Sequence, residues 1–146
     1  MKKTLLHTAM AALLIAIAVA TTLAQKAGPH EAEFRAFYAD FLKAVAANDK
    51  EKIADMIKFP VASDWSVDTR GNIQTVSIDD RADFIKRYNV LFTPYMRLHA
   101  AKAKPQALDG GRYMLGWKNQ DVECSFEFEY IDGTGYRLTA YSIGPL

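Results

Sequence analysis

The sequence predicts an α+β fold in which N-terminal helices pack on a curved antiparallel sheet. Three observations support this prediction. Apolar residues recur at helical spacing from Phe34 to Phe92, the period changes to two from Leu98 onward with clear alternation in the runs that begin at Tyr113, and the two patterns occupy separate parts of the chain. The length of 146 residues suits a single domain. A composition that is 50% hydrophobic and 24% charged excludes a disordered chain.

The first 24 residues have the three parts of a secretory signal peptide. Lys2 and Lys3 precede an apolar run over 9–20, and small residues lead to a cleavage point between Ala24 and Gln25. The run is too short for a transmembrane helix, which needs about 20 apolar residues. We therefore expect a periplasmic or secreted protein that does not associate with the membrane after cleavage.

Cleavage would leave residues 25–146 as a single domain and would remove two lysines and no acidic residue. The net charge then changes from +1 to −1, which gives no basic surplus for binding nucleic acid. Cys124 is the one cysteine, so an intrachain disulfide and a multi-thiolate metal site are excluded. Carboxylates along the last strands follow a solvent-facing pattern, and we expect neither a metal nor a cofactor.

The first half of the domain predicts three helices and a small hairpin. An apolar stripe predicts a first helix around Phe34 to Val45, and Asn48-Asp49 can cap a second helix that runs to about Lys58. Proline at position 60 should end that helix. A short hairpin is then predicted over 65–76, with its turn at 69–72, followed by a third helix that begins after Asp79-Asp80 and stops before Pro94.

The second half predicts a meander of antiparallel strands. Alignment of the apolar faces pairs Trp117 with Val122, Leu115 with Cys124 and Tyr113 with Phe126 in one hairpin. In the next hairpin it pairs Tyr130 with Tyr136, Phe128 with Leu138 and Glu129 with Arg137, around an odd-length turn with a glycine at positive φ. The outer face should be polar enough for a monomer or a weak homodimer, with Glu123, Glu127, Glu129, Arg137, Thr139 and Tyr141 on it.

The helical region carries three motifs, Phe37-Tyr38-x-x-Phe41, Ala44-Val45-x-x-x-Asp49 and Ile53-x-x-Met56-Ile57-x-Phe59-Pro60-Val61, with Arg81-x-x-Phe84 later. These motifs resemble the opening helices of NTF2-like (cone-shaped, cystatin-like) domains, especially small secreted bacterial members of unassigned function. The resemblance implies the cone-shaped fold over nearly all of residues 25–146. It does not decide the activity, because the superfamily includes dehydratases, isomerases, ligand carriers and protein-binding modules.

Two residues are candidates for acid–base chemistry. His99 could act as a general base with Asp64 or Asp80 as the orienting carboxylate, but the default interpretation is an ordinary hydrogen-bonded or exposed histidine. Asp64 precedes Trp65 near the expected mouth of the cone, where partial burial raises a carboxyl pKa. The alternative for Asp64 is a turn-capping role.

The aromatic residues give the stronger indication of function. Trp65, Tyr88, Tyr113 and Trp117 project from elements that would line the concave side, and an apolar cavity with a few hydroxyl groups suits a small hydrophobic ligand. The alternative is that these rings only fill the core.

Three functional hypotheses follow. The favoured one is non-catalytic binding of a small apolar molecule or of a partner protein in the periplasm, because neither a convincing acid–base set nor a glycine-rich phosphate loop is visible. The second is a cofactor-free dehydratase or isomerase that uses Asp64 and His99. The third is an immunity or inhibitor protein against a toxin that acts on the cell envelope, which fits the size and compartment alone.

Overall fold

The computed structural model describes residues 30–67, 73–118 and 122–145, in which helices cover one face of a six-stranded sheet. The helices are α1 (Glu31–Ala46), α2 (Lys50–Ala54), α3 (Arg81–Leu91) and α4 (Pro94–Ala100). The strands are β1 (Ile57–Val67), β2 (Ile73–Ile78), β3 (Gln106–Ala107), β4 (Tyr113–Lys118), β5 (Val122–Ile131) and β6 (Gly135–Pro145). The predicted α+β class is confirmed, while the signal peptide and the 69–72 turn lie outside the described residues.

The sheet is mixed and open, an arrangement consistent with the NTF2-like cone. Its strand order is β2-β1-β6-β5-β4-β3. Strand β6 lies between β5, with which it is antiparallel, and β1, with which it is parallel. The expected sheet was wholly antiparallel, so this one parallel pair is a correction. Strand alternation reports which face a residue occupies but not the direction of the neighbouring strand.

Helix α2 is shorter than the sequence predicts. Its N-cap is confirmed, since the Asp49 carboxylate accepts a 3.0 Å hydrogen bond from the backbone N–H of Lys52. The helix was expected to run to about Lys58 but ends at Ala54, and Ile57 already pairs with Leu138 of β6. Strand pairing therefore overrides the helical periodicity. Phe59-Pro60 consequently lies inside β1.

Helices α3 and α4 are each fixed by a capping side chain. The Asp80 carboxylate accepts from the N–H of Asp83 at 2.8 Å, and Thr93 Oγ1 accepts from the N–H of Met96 at 3.2 Å. Pro94 was expected to stop a helix, but it opens α4, because the first helical position needs no N–H donor. The prediction therefore missed α4, which contributes the buried side chain of Met96.

The register of the β4–β5 hairpin differs by two residues from the predicted one. Trp117 lies opposite Cys124, Leu115 opposite Phe126 and Tyr113 opposite Phe128. A two-residue shift leaves every side chain on its predicted face, so apolar alternation cannot detect it.

The β5–β6 hairpin has the predicted register. Tyr130 lies opposite Tyr136 and Glu129 opposite Arg137, around a three-residue turn over 132–134. Gly133 at its centre has φ of 73°, a left-handed conformation that favours glycine.

A β-bulge interrupts β6. Phe128 lies opposite Leu138 but Glu127 lies opposite Ala140, which leaves Thr139 as the additional residue. The bulge reverses which residues after it point toward the helices, so Tyr141 faces the helices and is 4% exposed. The placement of Tyr141 on the outer polar face is therefore wrong.

The core lies between the helices and the sheet. Most residues expected there are buried, including Phe34, Phe41, Ile53, Ile57, Phe84, Phe126, Phe128 and Leu138. Phe37 is only half-buried and packs at the margin of the core. Within the described ranges, no helix is both long and apolar enough to cross a membrane.

Candidate functional site

One end of the helix-covered face is packed with aromatic rings. Phe34 of α1 stacks on Tyr113 with the ring centroids 3.5 Å apart, and its edge meets Tyr136 at 5.1 Å. Tyr130 packs against Tyr136 at 5.4 Å and stacks on His30 at 3.7 Å. We call this group, Phe34, Tyr113, Tyr130 and Tyr136, the closed end. Tyr113, a candidate ligand-binding residue, is 8% exposed here and its ring is part of the core.

Two tyrosine hydroxyl groups on the helix-covered face of the sheet donate hydrogen bonds to backbone carbonyls. Tyr136 donates to the carbonyl of Gly111 at 2.9 Å and Tyr141 to that of Leu91 at 3.0 Å. Burial raises the pKa of Tyr136 to about 12, so its hydroxyl remains protonated at neutral pH.

Tyr88 and Tyr38 follow the same rule. The hydroxyl of Tyr88, a second candidate ligand-binding residue, donates to Asn48 Oδ1 at 3.1 Å, and its ring is stacked on Phe92 at 5.4 Å. Tyr38 donates to the carbonyl of Ala103 at 3.2 Å, and burial raises its pKa to about 12. The hydroxyl of Tyr88, which was expected to face a ligand, is thus already paired.

The opposite end of the face has a different character. The register aligns Trp117 of β4, Cys124 of β5 and Ile143 of β6, and we call these three residues the Trp117 end. Trp117 is half-buried and its ring meets the edge of Phe126 with centroids 5.3 Å apart. Strand β1 reaches the same end, because Trp65 pairs with Ile143 in the backbone register, although the side chain of Trp65 lies outside the described part.

The indole N–H of Trp117 is buried and has no hydrogen-bond partner. Over the described ranges it is the one buried side-chain nitrogen or oxygen in this condition. The N–H can only donate, so it needs an acceptor from outside the described protein atoms. The sequence placed Trp117 correctly on the apolar face, but it could not show that the donor is unpaired.

Cys124 lies directly opposite Trp117 and is 1% exposed. Burial raises the pKa of its thiol to about 11. A thiol of this kind is neutral at physiological pH and is a poor nucleophile.

The two acid–base candidates lie on different elements. His99 is on α4, which packs beside β4, and its ring lies 4.2 Å from that of Tyr95. Asp64 is in β1 and is aligned with Ser142, while its side chain lies outside the described part. Two strands separate β1 from β4, which corresponds to about 14 Å across the sheet. The structure therefore brings no support for their pairing.

A polar groove, missed by the sequence analysis, lies outside the cone between α1 and α2. Its volume is about 320 Å³, and it is lined by Asp40, Lys43, Ala44, Ala47, Asp49 and Lys52. Both charges are present and the Asp49 carboxylate is already used as a helix cap. The groove depends on the angle between the two helices, which periodicity alone does not give.

The acidic residues of β5 lie on the opposite face of the sheet. Glu127 is 3.8 Å from Arg112, and Glu123 is exposed. In the part of the chain that the structure describes, no three His, Cys, Asp or Glu side chains are grouped as a metal site would require.

Comparison with known proteins gives likenesses of fold. No family model matches the chain, and no curated protein matches it. An NTF2-like superfamily protein from Salmonella enterica is 10% identical with a TM-score of 0.46, over 77% of this chain and 88% of that one. A putative calcium/calmodulin-dependent protein kinase II association domain from Xanthomonas campestris is 13% identical with a TM-score of 0.44, over 84% of this chain and 92% of that one.

A putative ketosteroid isomerase from Shewanella frigidimarina is 7% identical with a TM-score of 0.43, over 74% of this chain and 91% of that one. The order of elements that the residues predict, helices followed by an extended sheet, is the order found in this chain. The activity of this chain has to be inferred from its own residues, because one fold can carry many functions.

Proposed function

We propose that this chain is an exported, non-catalytic binding domain that holds a small apolar molecule at the Trp117 end. The observation that carries the proposal is the buried, unpaired indole N–H of Trp117. A buried donor without an acceptor costs about 1–3 kcal/mol, and such groups are uncommon in folded proteins. An acceptor supplied by a bound molecule removes that cost.

The surroundings of this N–H favour an apolar occupant. Trp117 is only half-buried, so part of its ring remains available, and Ile143 beside it is also only partly covered. Phe126, whose ring contacts that of Trp117, is fully buried. A few polar groups on an apolar surface are typical of small-molecule sites.

Native mass spectrometry of the protein purified from a Gram-negative periplasm tests this function. We expect a retained small molecule in the wild type, reduced retention in Trp117→Phe, and unchanged retention in Tyr136→Phe, which removes a polar group at the closed end. Equal retention in all three proteins would place the ligand elsewhere, and the absence of a retained molecule from all three, the wild type included, would count against a binding function.

Export is a separate part of the proposal. Full-length protein expressed in a Gram-negative host should be released by osmotic shock, with Gln25 as its first residue. A matched variant with Leu13→Arg and Ile15→Arg interrupts the apolar run and should stay in the cell interior with Met1 retained. Recovery of the unaltered chain with Met1 in the membrane fraction would disprove export with cleavage.

A further inference from the structure

We infer that the molecule bound at the Trp117 end has an apolar body and a single neutral oxygen acceptor, of the ketone or ester type, which accepts a hydrogen bond from Trp117 Nε1. This inference rests on the proposed function, and it adds the chemical class of the ligand.

The requirement for an acceptor follows from the indole itself. The N–H of Trp117 has a donor and no lone pair, so only an acceptor can satisfy it. The other polar group nearby on this face, the hydroxyl of Tyr141, already donates to the carbonyl of Leu91. The site therefore offers the ligand one strong directional hydrogen bond.

The requirement for neutrality follows from the charges at this end. None of the described side chains that face the helices here is charged: they are Trp117, Cys124, Phe126, Tyr141 and Ile143. The thiol of Cys124 is kept neutral by burial. Lys118 and Glu123 lie opposite each other in the strand register, on the exposed face of the sheet. The sheet side chains at this end therefore supply no cation to offset the hydration that a carboxylate or phosphate would lose, which is a large cost.

A single water molecule satisfies the same N–H poorly. A buried water makes about three hydrogen bonds, with a range of two to four. The Trp117 end supplies one donor beside aromatic and aliphatic surface, so most of the hydrogen bonds of such a water would be unmade. An apolar molecule with one acceptor avoids this cost, because the remainder of its surface gains by leaving water.

Indane and 1-indanone form a matched pair of probes, because they share two rings and differ by one carbonyl group. Isothermal titration of the wild type should show that 1-indanone binds about five- to tenfold more tightly than indane, as one net hydrogen bond provides. In Trp117→Phe this preference should fall to about one, while in Tyr136→Phe it should persist.

The chain has two tryptophans, so a proton–nitrogen correlation spectrum of the wild type contains two indole resonances, and the one absent from Trp117→Phe belongs to Trp117. Addition of 1-indanone should move that resonance downfield, and indane should move it much less. This readout does not depend on the stability of the variant.

The outcomes separate the two proposals. If both probes bind equally well and the Trp117 resonance does not respond selectively to 1-indanone, the inference about the acceptor is wrong while apolar binding stands. If indane-1-carboxylate, which is negatively charged, binds more tightly than 1-indanone, the requirement for neutrality is wrong. If no probe binds, both the inference and the binding function at this end are overturned.

Discussion

The closed end and the Trp117 end use the same building material for different purposes. At the closed end, aromatic rings stack on one another and the Tyr136 hydroxyl finds the carbonyl of Gly111. At the Trp117 end, a ring of similar chemistry keeps its polar atom unpaired and part of its surface uncovered. The end whose rings are packed contributes stability, and the end with an unpaired donor keeps a capacity for binding.

The largest effect is expected where the packing is most complete. Phe128 is 0% exposed and contacts the rings of Phe34, Phe37 and Phe41. Phe128→Ala should lower the free energy of unfolding in urea by about 3–5 kcal/mol. The exposed Glu123→Ala on the same strand is the control and should change it by less than about 0.5 kcal/mol. A loss below about 1 kcal/mol for Phe128→Ala would contradict the proposed packing.

Alkaline pH should weaken the Trp117 end first. Burial raises the pKa of Cys124 from 9.0 to about 11, so the folded state holds the thiol proton more tightly than the unfolded state. The stability that the protonated Cys124 thiol contributes is fully present below pH 9 and is lost as the pH rises toward 11. Urea unfolding should therefore show a stability that falls above pH 9. In Cys124→Ala the stability should begin to fall about one pH unit higher, where the tyrosines of the unfolded chain ionise. A profile identical to that of the wild type would show that Cys124 does not cause the fall.

One hydroxyl should distinguish the two ends. Tyr136→Phe removes the donor to Gly111 and should cost about 0.5–1.5 kcal/mol in urea unfolding. The ligand preference of the Trp117 end should be unaffected. A stability loss together with a lost preference would show that the two ends are coupled and would break the comparison.

The smallest effects are expected at the acid–base candidates. Asp64→Asn and His99→Gln keep the approximate shape of each side chain and should change probe affinity by less than about twofold, because neither is assigned a role at the Trp117 end. An enzyme that depends on either residue would lose about 10²–10⁴ in rate. A retained natural ligand that disappears in Asp64→Asn but survives Trp117→Phe would favour the dehydratase or isomerase hypothesis.

The parts of the fold that depend on local chemistry could be predicted. The β5–β6 register follows from the glycine turn and the Glu129–Arg137 pair, and the Asp49 and Asp80 caps lie where short acidic side chains precede helical periodicity. Long-range pairing could not be predicted. It converts Ile57 from helix to strand, and it sets the β4–β5 hairpin two residues away from the register expected from apolar alternation.

The candidate site shows the same limit. Alternation places Trp117 on the apolar face, but whether its N–H finds an acceptor depends on atoms distant in sequence. Tyr88 and Tyr113 have the same pattern, yet the structure buries both in the core. Pattern alone cannot distinguish a ring that packs from a ring that binds.

The additional residue, Thr139, also divides β6 into two parts that can be altered independently. Residues before it are in phase with the closed end, and residues after it are in phase with the Trp117 end. If the bulge were absent and Thr139 itself lay opposite Glu127, regular alternation would place Ala140 and Ser142, in place of Tyr141 and Ile143, on the face toward the helices. Substitutions in β6 after the bulge can therefore alter the Trp117 end while the register of the β5–β6 hairpin is preserved.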